Sequence, residues 1–268
     1  MHSEAVSAII EQLQQNPRNV FVEGIQGAGK TTLLNALQQK LPAYTVYHGG
    51  DISPVDLAWC SYVTDRQYTD ICQRYPQLLD QLAAYTKAEE HHKIIAYTRI
   101  TTELQDFYPF MSQFEIYSGR VSFSAFRDIL LRRFKRFHDN GCIFECAFFQ
   151  NSIESMLLFY EMSEEEILAF YEELFEILGP KHMLLLYLDI TDVEKAISQV
   201  KKERVDAEGS EFWFALLMEY LVTSPYGKKR YQGDMKSLVA HLKRRQNLER
   251  RIIKEIIRDQ AIILQGRC

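Results

Sequence analysis

Apolar residues along this chain fall into two patterns. Short runs bounded by polar or glycine residues occur at 19–23, 44–48, 142–146, 183–189 and 261–264, each the length of a strand buried on both faces. Between them, apolar residues return every three or four positions, which predicts helices. Leu78, Leu79, Leu82 and Tyr85 form one such set, and Phe123, Phe126, Ile129, Leu130 and Phe134 another. Ser163 followed by Glu164, Glu165 and Glu166 has the capping-box pattern, and Ile167, Phe170, Tyr171, Leu174, Phe175 and Leu178 then mark one apolar face. A last helix, 235–258, is expected to turn Leu238, Leu242, Leu248, Ile252, Ile256 and Ile257 inward and its many Lys and Arg outward. Strands alternating with helices predict an α/β fold, a five-stranded parallel sheet with helices on both faces. The spacing is uneven, and residues 51–140, after the second strand, read as a large helical insertion where an acceptor site would be built. With no repeat, low-complexity tract or Pro/Ser-rich linker, 1–268 reads as a single domain.

The stretch after Val20-Phe21-Val22 carries the chemistry. Gly24-Ile25-Gln26-Gly27-Ala28-Gly29-Lys30-Thr31-Thr32 has the spacing G-x-x-x-x-G-K-T. Glycines at these places allow a backbone curl whose N–H groups point inward, Lys30 can reach β- and γ-phosphates, and the Thr31 hydroxyl can ligate Mg²⁺. The helical stretch from Thr32 to Leu37 would present its N-terminus to the phosphates. Strand, loop and helix together read as a P-loop for a nucleoside triphosphate with Mg²⁺.

Composition narrows the setting. At 47% hydrophobic and 25% charged, with a net charge of −5, the 268 residues have ordinary globular usage. That balance gives no whole-protein reason to expect a nucleic-acid polymer or an anionic membrane. The five cysteines, Cys60, Cys72, Cys142, Cys146 and Cys268, lack metal-site pairing and read as reduced thiols. Residues 1–17 lack the apolar core of a signal peptide, and no apolar run approaches membrane-spanning length. The expected location is the cytoplasm and the expected partner a small-molecule acceptor; a homodimer is left open.

The segment F-V-E-G-I-Q-G-A-G-K-T-T resembles the opening of thymidylate kinases, and deoxynucleoside kinases also place a Glu-Gly just before the phosphate loop. The resemblance covers about a dozen residues. It implies a helical acceptor-binding region after the second strand, here 51–140, and a basic lid after the fourth, here 200–232; the last helix and strand read from the apolar pattern then occupy 234–268. Asp51, in H-G-G-D-I-S-P, then stands where such kinases commonly place the carboxylate that accepts the acceptor's proton; the other reading is an Asx-turn residue. The arginine-proline-glycine pattern of thymidylate kinases is missing after this strand. Glu145, ending the third strand, has the position of an acid that helps hold Mg²⁺, with Cys146 where arginine is often found. Asp189 is its rival, read instead as a turn or cap residue. Arg204 is the first choice for a lid cation over the transferring phosphoryl group, and Lys201 or Lys202 the second; Gln199 and Glu203 occupy places where arginine is usual. Lys228, Lys229 and Arg230 could join the lid or form a solvated loop.

Within the insertion, Arg99 and Arg120 lie beside tyrosines as candidate acceptor contacts, with Trp59, Tyr62 and Tyr117 available for stacking. His91 and His92 have no partner at a metal spacing. Gln150 and Asn151 could contact substrate or cap the next helix. Together these readings predict an ATP-dependent phosphotransferase of the nucleoside/nucleotide kinase type, acting on a nucleoside, a nucleoside monophosphate or a hydroxylated small molecule such as an antibiotic. The alternative is a P-loop regulatory ATPase that signals to a protein partner.

Overall fold

The computed structural model describes residues 3–179, 183–205 and 211–267; Cys268 and residues 206–210 of the expected lid lie outside them. In chain order the elements begin with α1 (Ser3–Gln15), β1 (Asn19–Glu23), α2 (Lys30–Lys40), β2 (Thr45–Tyr47), β3 (Ser61–Thr64), α3 (Asp65–Arg74), α4 (Leu79–Ala84), β4 (Thr86–Glu89) and β5 (His92–Ile95). They continue with α5 (Phe107–Met111), α6 (Phe123–Arg136), β6 (Cys142–Glu145), α7 (Gln150–Glu154), α8 (Glu164–Leu178) and β7 (Met183–Asp189). The last are α9 (Val193–Glu203), α10 (Phe212–Thr223), α11 (Pro225–Arg230), α12 (Met235–Ile252) and β8 (Ala261–Gln265).

The five apolar runs form one parallel sheet in the order β2-β6-β1-β7-β8. β1 is central, in register with β6 through Val20↔Ile143 and with β7 through Val20↔Leu184. Its alternate side chains meet different layers. Val20 and Val22, with Leu184, Leu186 and Leu188, pack with Leu33, Leu34 and Leu37 of α2 and Ala196 and Ile197 of α9. Phe21 points the other way, stacked on Phe144 at 4.9 Å and tilted against Phe148 at 5.5 Å, and Tyr171 of α8 packs against Phe148 and Phe149. Helices thus cover both faces, as an all-parallel sheet requires. β2, at the sheet edge, is shorter than the expected 44–48 and only partly buried. β6 stops at Glu145 because Cys146 takes a left-handed backbone, φ 62°.

The winding is what positions a site. From β1 the chain runs out to β2, returns to β6 on one side of β1, and then crosses to β7 on the other. The carboxyl end of β1 therefore lies where the winding reverses, the place at which open α/β sheets leave a crevice for ligands.

By their internal contacts the residues divide into two compact units, Met1–Val46 with His138–Cys268, and Tyr47–Phe137. The second nearly coincides with the expected 51–140 insertion but is not all helical. β3, β5 and β4 make a three-stranded antiparallel sheet, paired through Ser61↔Ile95 and Thr86↔Ile95. Its core is its own: Val63, Ile71, Leu82, Ile95, Phe107 and Met111 are buried together. These strands are four residues long and β4 reads T-K-A-E, so no apolar run marks it. Among the described residues no helix is long and apolar enough to cross a membrane.

Candidate functional site

The turn from β1 into α2 is built on backbone that side chains would obstruct. Gly24 has φ 139°, and a Cβ there would stand 2.6 Å from the Leu188 carbonyl oxygen; Gly29 has φ 95°, with Arg267 Cγ 3.3 Å from where its Cβ would be. Gly29 also caps α2 without a side-chain hydrogen bond. The first N–H groups of that helix, beginning at Lys30, have no intrahelical acceptor. Lys30 is 8% exposed. Its Nζ donates to the carbonyls of Gly24 at 2.8 Å and Ile25 at 3.0 Å, folding the side chain back along the loop.

β6 delivers the acid. Its register places Glu145 beside Val22, two residues before the start of the loop, and Thr31 Oγ1 donates to Glu145 Oε1 at 2.6 Å. The structure thus brings together the two residues expected to serve a metal. Where arginine was the alternative, Cys146 turns the chain away: its N–H donates to Val22 at 3.2 Å, and burial pushes its thiol up to about 12, so it stays neutral. Asn151 Nδ2 donates to the Cys146 carbonyl at 3.1 Å, which gives Asn151 a structural task in this turn. Asp189 is not the cap of the next helix. That is Asp192, whose side chain accepts from Lys195 N at 3.0 Å; Asp189 is paired with Arg250 at 2.7 Å and accepts from Gln246 Nε2 at 3.1 Å.

Beneath the loop lies a cluster of charges not expected from the sequence. The basic residues of α12 do not all face outward: Arg245 is 0% exposed, with His241 and Glu249 buried one turn to either side. Arg245 Nη1 donates to Glu154 Oε1 at 2.5 Å and Gln26 Oε1 at 3.0 Å, and Nη2 donates to the Gly24 carbonyl at 3.2 Å. Its Nε stands 2.9 Å from Glu249 Oε1 as an ion pair without hydrogen-bond alignment. Tyr187 donates to the other Glu249 oxygen at 2.7 Å, and His241 Nε2 lies 2.6 Å from Glu154 Oε2. Burial works to raise the Glu154 carboxyl, but His241 and Arg245 outweigh it and hold it at about 2. Glu249 goes the other way, raised by burial despite Arg245. Glu23, the last residue of β1, accepts from Phe148 N at 2.6 Å; burial above all pushes its carboxyl up to about 7. One signal was available: 241, 245 and 249 share the spacing of the apolar Leu238, Leu242 and Ile252, so they sit on the inward stripe.

Past β7 the expected lid residues have local partners. Arg204 lies over the Trp213 ring at 4.9 Å, and Lys201 pairs with Glu211 at 2.9 Å. Lys229 of α11 is bound by Glu161 at 2.7 Å. Gln199 and Glu203 line a 260 Å³ pocket with Gly27, Ala196, Val200 and Arg267. Arg267 was not anticipated. Its N–H donates to the Ala28 carbonyl at 3.2 Å, and its guanidinium pairs with Glu203 at 2.9 Å.

In the Tyr47–Phe137 unit, Asp51 accepts from His48 N at 2.7 Å and pairs with Arg99 at 2.6 Å. Asp51 thus closes the Gly-rich corner back onto His48, three residues upstream, rather than forming the Asx-turn, whose acceptor bond would run two residues on, and two candidate site residues, Asp51 and Arg99, are in contact. Arg120 is exposed, and its charge acts on Glu115, whose carboxyl burial pushes up to about 7 despite the Tyr97 hydroxyl and Arg120. Tyr97 donates to Glu115. Of the three candidate stacking rings, Tyr117 is buried against Asp56 and Tyr62 is stacked on His92 at 4.4 Å. Trp59 is 54% exposed and held at φ 63°. Among the described residues no group of three or more His, Cys, Asp or Glu is gathered as for a metal ion.

Compared with known proteins, the sequence matches no family model and has no significant match among curated proteins.

Proposed function

We propose that this chain is a P-loop phosphotransferase of the nucleoside and nucleotide kinase type, using ATP with Mg²⁺ to phosphorylate a small acceptor. The observation that carries the reading is the convergence at the carboxyl end of β1: a glycine curl that excludes side chains, Lys30 folded along it, and Thr31 bonded to Glu145. Mg²⁺ asks for hard oxygens and typically takes only one or two from protein, the rest coming from phosphate and water. The Thr31 hydroxyl and the Glu145 carboxylate fit that demand.

Bound Mg-ATP would supply the phosphoryl group together with a cation that offsets its charge. The chain's part is positioning and electrostatics. Loop amides and the N-terminus of α2 bind the phosphates, and Lys30 exchanges the carbonyls of Gly24 and Ile25 for phosphate oxygens. The nucleoside end of ATP is assigned to the pocket beside Gly27, where Arg267 offers a planar cation. Asp51 accepts the acceptor's proton with Arg99 fixing its orientation, and Arg120 and Trp59 are assigned to holding the acceptor. Arg204 leaves Trp213 to close over the transferred group.

The test is thermal stabilisation by a non-hydrolysable Mg-ATP analogue, then by the analogue with panels of nucleosides, nucleoside monophosphates and hydroxylated antibiotics, followed by a transfer assay. A second shift confined to one acceptor class is expected, with transfer reduced about 10²- to 10⁴-fold in Asp51→Asn. Hydrolysis indifferent to every acceptor and to that substitution would instead establish the regulatory ATPase.

A further inference from the structure

The phosphoryl-transfer assignment makes no use of the charges on α12, yet one of them touches the loop directly. Arg245 reaches two groups of the loop, the Gly24 carbonyl and the Gln26 side chain, while its other side is held by Glu154 and Glu249. The Gly24 oxygen also accepts from Lys30 Nζ, so two cations share one carbonyl. A carbonyl has two lone pairs and can serve both. If Lys30 moves to a phosphate, Arg245 becomes the remaining side-chain donor to a carbonyl that is buried, and an unpaired buried carbonyl is unfavourable.

We infer that Arg245 is a positioning residue: from α12 it holds the glycine loop in its phosphate-binding curl as Lys30 leaves Gly24 for the nucleotide. The inference rests on the P-loop reading. A planar fork is what the place requires, because Nη1 donates to Gln26 and Glu154 and Nη2 to Gly24, while the Nε edge stands beside Glu249 as an ion pair. The single ammonium of lysine cannot span them. Glu154 and Glu249 keep the guanidinium charged and immobile, and Tyr187 and His241 fix those acids in turn.

Gln26→Ala removes one of the two loop contacts of Arg245 without stranding a buried charge, and Arg245→Lys keeps the charge but loses the fork that reaches both Gln26 and the Gly24 carbonyl. Hydrogen exchange of the peptide spanning 24–32 in the ligand-free protein should speed up in both variants, with the β7 peptide unchanged. Affinity for the Mg-ATP analogue by calorimetry should fall about tenfold, the loss of one hydrogen bond to a charged group. KM for ATP should rise, and KM for the acceptor stay the same. The double variant should bind no more weakly than Arg245→Lys alone, since that substitution already removes the contact with Gln26. Loop exchange that stays at the wild-type rate in both variants would overturn the inference, even if Arg245→Lys melts earlier, because Arg245 would then be a structural ion only. Wild-type protein that fails to bind the analogue would overturn the P-loop reading, and the exchange measurement would still decide on Arg245.

Discussion

Glu23 shows how a single carboxyl ties the site to solution pH. Its value of about 7 stands above an ordinary 4.5, with burial the main cause, Glu249 adding to it and Lys30 opposing it. Between those values the folded chain holds a proton that the unfolded chain has released. Stability therefore falls as pH rises through that window, by about 3 kcal/mol in all, and is level above it. In Glu23→Gln nothing titrates at this position, so the stability of the variant relative to wild type should improve by about that amount from pH 4.5 to 8. Urea midpoints across pH check it, and parallel curves would show that Glu23 keeps an ordinary value. Residues of this kind were only partly legible. The glycine spacing announced the loop because few side chains tolerate those angles, and Thr31 and Glu145 were found because each ends or begins an element beside it. Arg245 was missed because its burial depends on Glu154, 91 positions away, and lysines and arginines on a helix usually face water.

At the scale of elements, local chemistry was the reliable guide. Ser163 accepts from Glu166 N while the Glu166 side chain returns to Ser163 N, so the capping box read from the sequence is present at the start of α8. Ser163→Ala should cost about 1 kcal/mol, a fall of about 2–4 °C in melting temperature; no change by calorimetry would mean that packing of Ile167 and Tyr171 alone sets this helix end. The long apolar strands β1 and β7 were found with their limits, since burial on both faces leaves no polar position inside them. β3, β4 and β5 were missed for the opposite reason. Their sheet is small and half-exposed, and Thr86, Lys87, Glu89 and Lys93 give it no hydrophobic alternation to read.

At the scale of the whole molecule, each unit encloses a core of its own. Leu82, fully buried in the core of Tyr47–Phe137, offers a way to address one without the other. Leu82→Ala should cost about 2–5 kcal/mol and accelerate hydrogen exchange across 47–137, while β1 and β7 amides keep their protection. Uniform loss of protection would show that the two cores unfold as one. The order of the sheet, unlike its five strands, could not be read from the sequence, because parallel partners are chosen by crossovers and not by neighbouring residues.

That order has a consequence for biosynthesis. The central strand is made well before its neighbours: Asn19 Oδ1 accepts from Cys142 N across 123 positions, and β7 follows later still. At translation rates of about 5–20 residues per second, Val20-Phe21-Val22 waits on the order of ten seconds for either partner. During that interval the whole of Tyr47–Phe137 is synthesised, with every residue of its own core. The nascent chain thus carries an unpaired apolar strand while every residue of a second core has already been made, and the glycine loop at the end of that strand waits longer still for Leu188, Arg245 and Arg267, which surround it in the fold.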